Sequence, residues 1–322
     1  MKFKHSFHVF VDNFSVIYKQ LLYRLIVLLI SGVICWLGVY PFIKTFISSD
    51  QLNTIIESVK GFATNLLNGK MDELQFLSEK AQTAYAELIE LLNTKLSQAV
   101  LSGLLILLIT IVSKWFTGLG NYATASVIND KMALRAKQPF LGTLIRNLKN
   151  ASIYNAIYVP LSVMFDLIVF VAMFFLFFAL LNNVVYFVIC LFLFVVAIVF
   201  AFTFKMTMTC DWLPALIRGK MKHGVAMKYT FSRKNKKTLN VMSNFAVIVL
   251  IVFALNMAAL LLTLGAGLLL TIPSSYVIII CFEFVNYYDR EEIKYSIDKN
   301  TIISPAKEHP LSREEFFRGD GD

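Results

Sequence analysis

Charged side chains are scarce in this 322-residue sequence. Asp, Glu, Lys and Arg make up 16% of the chain, whereas soluble domains average about a quarter. Apolar residues make up 57%, and phenylalanine alone occurs 29 times. This composition predicts a protein whose main solvent is lipid. The net charge of +9 then indicates a basic cytoplasmic face of a membrane protein, and no nucleic acid partner is predicted.

Cysteine and histidine are also rare, and their spacing fits no metal-binding motif. The cysteines are Cys35, Cys190, Cys210 and Cys281, and the histidines are His5, His8, His223 and His309. The sequence has no Walker A loop and no GxSxG turn, so no catalytic residue, cofactor or metal is predicted. The alternative of a membrane-embedded enzyme without a familiar motif stays open.

The longest apolar run extends from Leu167 to Phe204 and contains no ionisable side chain. A single crossing of the bilayer needs about 20 apolar residues, so this run is long enough for two. Its one polar interruption is Asn182-Asn183. The run therefore predicts two transmembrane helices joined by a tight turn at one membrane surface.

The remaining apolar runs extend this pattern to the whole chain. The sequence predicts an all-α, polytopic helical membrane protein with six transmembrane helices, at residues 25–48, 99–116, 158–181, 184–204, 245–264 and 267–287. The turn between the last two spans is either at 263–267, which contains two glycines, or near Pro273.

The segments outside the spans are polar but have helical periodicity. Residues 1–24 carry Phe3, Phe7, Phe10, Phe14 and Ile17 at helical spacing, which predicts an amphipathic helix in the headgroup region. The alternative is a first span that begins early. Residues 288–322 form a polar cytoplasmic tail.

Residues 49–98 predict an extracytoplasmic helical hairpin with a turn at Asn68-Gly69. Its first helix has an apolar stripe that includes Val59. Its second helix has no helix breaker before Ala99 and is expected to continue into the second span.

Two basic connectors, 117–157 and 205–244, are expected to contain amphipathic helices. In the first, Gly118 to Gly120 predict a break after the second span. In the second, Asp211 is expected to cap a helix that begins with Trp212.

The distribution of basic residues predicts the orientation. Residues 1–24 carry a net charge of +3, the segment 114–155 carries +5 and the segment 205–242 carries +8, whereas the segment 44–97 between the first two spans carries −2. Basic residues concentrate in short cytoplasmic loops. Both termini are therefore predicted to be cytoplasmic, in a plasma membrane.

Ionisable and amide side chains within spans predict a polar vestibule open to the cytoplasm. Its candidate residues are Asp166, Lys205, Asn256 and Glu283. Lys205 is expected to pair with Asp166 or Glu283. The alternative is that Lys205 and Glu283 reach water at the interface by themselves. A separate basic cluster is expected to contact anionic lipid headgroups, and its members are Arg233, Lys234, Lys236 and Lys237.

The closing membrane segment has a family resemblance. Thr263-Leu264-Gly265-x-Gly267, then Ile272-Pro273 and an acidic residue in the last span, resemble uncharacterised multi-pass membrane proteins of low-GC Gram-positive bacteria. These are similar to the membrane domain that accompanies some glycerophosphodiester phosphodiesterases. The resemblance implies a bacterial plasma membrane. It implies no catalytic residue, because the phosphodiesterase domain has no counterpart in this chain.

Two functions from different classes fit these features. The first is a small transporter or lipid-handling protein with a cytoplasm-open polar vestibule. The second is a non-enzymatic interaction or assembly protein, which contacts a protein partner or a second copy of itself through residues 51–98. In both cases the lipid bilayer is the main partner.

Overall fold

The computed structural model describes residues 2–47, 50–67, 72–94, 96–135, 138–180, 184–231, 238–298, 301–305 and 311–312. The helices are α1 (Lys2–Asp12), α2 (Phe14–Ile47), α3 (Asp50–Leu67), α4 (Asp72–Thr94), α5 (Leu96–Met132), α6 (Phe140–Arg146), α7 (Leu148–Leu180), α8 (Val184–Thr209), α9 (Trp212–Ile217), α10 (His223–Phe231), α11 (Thr238–Leu262) and α12 (Leu268–Arg290). Six of them, α2, α5, α7, α8, α11 and α12, are long and apolar enough to cross a bilayer. The chain is a multi-pass membrane protein, as its sequence predicts.

The last two spans are separated by a turn at residues 263–267, the first of the two predicted alternatives. Gly265 has a φ of 92°, a conformation that glycine adopts without the steric penalty of a side chain. The backbone N–H of Gly267 donates to the hydroxyl of Thr263 at 2.6 Å. Pro273 lies inside α12. The predicted turns at Asn182-Asn183 and Asn68-Gly69 lie outside the described residues.

The chain divides into two compact units, and the first comprises Met1–Ile26, Trp115–Val159 and Val199–Asp322. Its core is built around α12, where Phe284, Val285 and Tyr288 are fully buried. Trp212 at the start of α9 and Ile128 of α5 are buried in the same cluster. The carboxy-terminal half of α12 therefore packs against protein, whereas Leu269, Leu270 and Ile272 near its start are exposed.

The amino-terminal segment has two faces, as an amphipathic helix should. Phe3, Phe7 and Phe14 are exposed, but Ile17, predicted on the same face, is buried. The helix is interrupted at Asn13, whose side-chain amide donates to the carbonyl of Val9 at 2.8 Å. This interruption separates α1 from the first span.

The tail contains a small antiparallel sheet that was not predicted. It consists of β1 (Tyr295–Ser296), β2 (Thr301–Ile303) and β3 (Leu311–Ser312), in the order β1-β2-β3. Tyr295 is buried, and its hydroxyl donates to Asp289 at 2.8 Å. The sheet is too short to give a sequence signal, and it is held by contacts with α12.

The predicted helix break at Gly118 to Gly120 is wrong. Helix α5 continues through both glycines to Met132. A Cβ atom at Gly118 would clash with Oδ1 of Asn155, and one at Gly120 would lie 2.6 Å from the ring of Tyr23. The glycines therefore allow close packing within the first unit rather than ending the helix.

The second unit comprises Val27–Lys114 and Pro160–Ile198 and includes the helical hairpin. Helices α3 and α4 pack against each other, and a Cβ atom at Gly61 would lie 3.2 Å from Leu77. Ser58 is 3% exposed, whereas Val59 is 61% exposed. The predicted stripe is thus wrong at Val59, because small side chains occupy the closest approach. Helix α4 ends at Thr94 and α5 begins at Leu96, so the predicted join lies at residue 95, outside the described part.

Filling the space at Gly118 should destabilise the protein. Alanine normally stabilises a helix relative to glycine by about 0.5–1 kcal/mol, but here its Cβ would meet the buried side chain of Asn155, which also donates to the carbonyl of Trp115 at 3.3 Å. We expect Gly118→Ala to lower the unfolding free energy by about 1–3 kcal/mol, measured by thermal unfolding of the purified protein.

The matched control is Gly103→Ala on the same helix, where a Cβ atom meets nothing within 4 Å. This variant should be as stable as the parent protein or more stable. Equal stability of the two variants would contradict the packing role of Gly118.

Candidate functional site

A basic cavity of about 610 Å³ lies in the first unit, where the ends of several helices meet. Its walls come from the end of α5, the segment after it, the junction of α6 and α7, the end of α9 and the start of α10. The lining residues are Tyr122, Ser126, Asn129, Asp130, Arg135, Gln138, Arg146, Asn147, Asn150, Leu216, Ile217, Lys220, Met221, Lys222 and His223.

The cavity has an excess of positive charge. Four cations line it, namely Arg135, Arg146, Lys220 and Lys222, against one carboxylate, Asp130, which leaves a net charge of +3. Asp130 Oδ2 is 3.4 Å from Arg146 Nη2, and Asp130 Oδ1 is 3.8 Å from Arg135 Nη1. One carboxylate thus neutralises the two guanidinium groups only in part.

Two polar atoms at the cavity wall are buried without a hydrogen-bond partner among the described residues. They are Nδ2 of Asn129 and Nδ1 of His223. Asn129 is fully buried, and its Oδ1 accepts a hydrogen bond from the hydroxyl of Tyr288 at 3.1 Å. The hydrogen bond from Tyr288 thus holds the amide in place while its Nδ2 donates to none of the described residues. Because buried donors are nearly always paired, this group is a candidate ligand donor.

Burial lowers the pKa of His223 from its ordinary value of 6.5, because removal from water disfavours the charged imidazolium. His223 is therefore neutral at pH 7. It adds a charge to the cavity only in more acidic solution.

A tight turn and a hydrogen bond between side chains fix the segments that carry the cavity's cations. Gly219 lies two residues after the end of α9, where a Cβ atom would be 2.6 Å from the hydroxyl of Tyr287 and 2.7 Å from the carbonyl of Ala215. Lys220 follows with a φ of 49°, so the chain turns sharply there. On the opposite wall, Asn147 Nδ2 donates to Ser126 Oγ at 3.1 Å, which ties the junction of α6 and α7 to α5.

Asp211 has a different role from the predicted one. It precedes α9, but its side chain makes no capping hydrogen bond. Its Oδ2 lies 2.5 Å from Nη1 of Arg290, and their side chains are 2% and 15% exposed. Arg290 also donates from Nη2 to the hydroxyl of Tyr229 at 2.6 Å and from Nε to Glu291 at 3.0 Å. The carboxylate of Asp211 therefore pairs with an arginine far away in the sequence instead of capping α9.

None of the four predicted vestibule residues lines this cavity. Asp166 forms an ion pair with Lys114 within the second unit. Lys205 lies inside α8, which runs to Thr209, past the predicted end of the span. Its predicted pairing with Asp166 or Glu283 stays a prediction, and Glu283 is half-buried in α12.

Asn256 joins the last two spans. Its Oδ1 accepts from the hydroxyl of Thr271 at 2.7 Å, and its Nδ2 is 3.2 Å from the hydroxyl of Ser275. Each member of this cluster has a partner, which indicates a bond between helices rather than a ligand site. The predicted lipid-contacting residues Arg233, Lys234, Lys236 and Lys237 lie outside the described residues.

Sequence reasoning missed the contacts of a half-buried cation, Arg24. Its Nη2 donates to Oδ1 of Asn121 at 2.8 Å, and its guanidinium lies 3.8 Å from the ring centre of Tyr276. Gln20, one turn earlier, donates to the same oxygen at 2.9 Å. The sequence signal for this cluster is the four-residue spacing of Gln20 and Arg24, which places two polar side chains on one face of an apolar helix.

The sequence does not reveal the cavity because its walls come from segments far apart in the sequence.

Within the described ranges, no group of three His, Cys, Asp or Glu side chains could hold a metal ion. Comparison of the chain with protein-family models, curated proteins and solved structures finds no match.

Breaking the ion pair between Arg290 and Asp211 should be strongly destabilising. Arg290→Gln would leave the buried carboxylate of Asp211 without its partner, and loss of one member of a buried pair lowers stability by about 3–5 kcal/mol. Thermal unfolding of the purified protein measures the effect.

The double variant Asp211→Asn with Arg290→Gln provides the control, because it removes both charges. It should lose less stability than the sum of the two single variants. Additive losses would contradict a direct pairing.

Proposed function

We propose that this protein is a small transporter or lipid-handling protein that binds a phosphate-bearing anion in its basic cavity. The observation that carries this proposal is a cavity of about 610 Å³ with a net charge of +3 and a buried amide donor without a partner. Ligand cavities have volumes of about 300–1,000 Å³, so a small organic phosphate fits this one.

The types of cation favour phosphate over other anions. Arginine presents a planar fork of donors that matches phosphate oxygens in pairs, and lysine adds a mobile point charge. Arg135 and Arg146 supply two forks, and Lys220 and Lys222 supply two ammonium groups. The unused donor of Asn129 would complete the set.

Asp130 fits the role of an internal substitute for the ligand. It lies 3.4 Å from Arg146 and 3.8 Å from Arg135, distances longer than those of good charge-assisted hydrogen bonds. A phosphate with more charge and more oxygens would compete with it for both arginines. Between binding events, the carboxylate of Asp130 would reduce the repulsion between the two arginines and hold their side chains in place.

The charge distribution supports a cytoplasmic location for this cavity. Its residues belong to the two connectors that carry the excess of Lys and Arg, and such loops remain in the cytoplasm. The resemblance of the closing membrane segment to bacterial multi-pass proteins supports a bacterial plasma membrane.

A second candidate function rests on the helical hairpin. Helices α3 and α4 pack on each other and leave Ile56, Val59 and Phe76 exposed. These side chains would suit a protein partner or a second copy of the chain. This candidate provides no role for the basic cavity, and we rank it second for that reason.

Binding of glycerol 3-phosphate to the purified full-length protein tests the first proposal. Isothermal titration calorimetry should detect binding that weakens at least tenfold in Arg146→Gln, since a hydrogen bond to a charged group contributes about 1.5–3 kcal/mol. Asp130→Asn should bind more tightly than the parent protein, because both arginines lose their competitor.

Lys149→Gln is the matched control. Lys149 is exposed, lies three residues from Arg146 and is outside the cavity lining, so its loss should leave affinity within about twofold once screening by salt is equal. The proposal fails if glycerol 3-phosphate does not bind, or if Lys149→Gln weakens binding as much as Arg146→Gln.

Cysteine labelling in intact cells tests the orientation. On a background without Cys35, Cys190, Cys210 and Cys281, a cysteine at Glu87 should react with a membrane-impermeant maleimide added outside, because the hairpin is predicted to be extracytoplasmic. A cysteine at the exposed Lys228 of α10 should react only after the cells are opened. The reverse pattern would invert the predicted topology.

A further inference from the structure

The short helix α6 has two faces of opposite character. Phe140 and Thr143 are buried, and the ring of Phe140 contacts that of Tyr23 edge-on. Leu141 and Ile145 point away from this packing and are 65% and 72% exposed. A helix of seven residues thus presents large aliphatic side chains that the first unit does not cover.

This exposed face continues into a membrane span. Leu148, at the first position of α7, is 47% exposed, and Ile153 and Ile157 further along α7 are also exposed. We name Leu141, Ile145 and Leu148 the aliphatic row. Leu141 and Ile145, four residues apart in α6, lie on one side of that helix, and Leu148 follows at the first position of α7. Because α7 is a span, the row borders the part of the chain that lies in lipid.

The aliphatic row and the basic cavity meet at the same place. Arg146 and Asn147 line the cavity, and each is next in sequence to a member of the row. A surface that carries a cluster of cations beside exposed aliphatic side chains, at the start of a span, has the two chemistries of a phospholipid: an anionic headgroup and acyl chains.

We propose that the anion bound in the cavity is the headgroup of an anionic phospholipid, which enters from the bilayer with its acyl chains along the aliphatic row. This inference rests on the proposed function and identifies the ligand of that same site. A soluble phosphate would use the cations of the cavity but would leave the aliphatic row without a role.

The test compares an anionic phospholipid with glycerol 3-phosphate, a soluble phosphate without acyl chains. The full-length protein is placed in phosphatidylcholine nanodiscs that contain spin-labelled phosphatidylglycerol, and the motionally restricted fraction is measured by electron paramagnetic resonance. The difference between the parent protein and Arg146→Gln isolates the lipid held by the cavity. Glycerol 3-phosphate binding is measured in parallel by calorimetry.

Leu141→Ser and Ile145→Ser should each weaken phosphatidylglycerol binding about tenfold, the effect of one lost aliphatic contact. Both should leave glycerol 3-phosphate binding unchanged, which also shows that the cavity remains folded. Val247→Ser is the control. Val247 is an equally apolar, exposed residue of α11, and its replacement should change neither measurement.

The outcomes separate the two proposals. If glycerol 3-phosphate binds in an Arg146-dependent manner but the serine variants leave phosphatidylglycerol binding unchanged, the ligand is a soluble phosphate. The lipid inference then fails while the proposed function stands. If neither compound binds in a manner that depends on Arg146, both proposals fail.

Discussion

The ion pair between Arg290 and Asp211 is the interaction on which the first unit depends. It joins the end of α12 to the start of α9, and the hydroxyl of Tyr229 in α10 accepts a hydrogen bond from the same guanidinium. Trp212, next to Asp211, is fully buried beside this pair. Because α9 and α10 supply one wall of the basic cavity, the position of that wall follows from a charge pair outside it.

Polar groups within the spans follow the same constraint. A backbone or side-chain polar group in lipid must find its partner within the protein. Asn256 bonds to Thr271 and Ser275, Arg24 bonds to Asn121, and Lys114 pairs with Asp166. Such residues stand out in a hydropathy profile because they are rare, but these contacts give each of them a structural role.

The parts of the fold that depend on local composition were accessible from the sequence. Six apolar stretches of sufficient length and a glycine-containing turn at 263–267 can be read from neighbouring residues alone. The role of Gly118 cannot, because the sequence does not show that Asn155, on another helix, approaches it. The same holds for Asp211, because its neighbours in the sequence do not show that Arg290, on a distant helix, pairs with it.

The candidate site was hidden for a related physical reason. Arg135, Arg146, Lys220 and Lys222 are each unremarkable in basic connectors, where lysine and arginine are expected from topology alone. What distinguishes them is convergence on one cavity beside a buried amide with an unused donor. Convergence is a property of packing, so no window of the sequence contains it.

Two arginine–carboxylate contacts in the first unit differ in a way that bears on function. Arg290 and Asp211 are 2.5 Å apart and almost entirely buried, so the carboxylate has little access to any competing cation or anion. Asp130 is 3.4 Å from Arg146 and 3.8 Å from Arg135, and the two arginine side chains are 47% and 43% exposed. The first contact is closed and holds helices together. The second is longer, is shared between two arginines that are partly exposed, and centres on an Asp130 side chain that is 11% exposed. If an external anion takes the place of Asp130, as proposed, the arginines are already gathered around a carboxylate, so little conformational freedom is lost on binding.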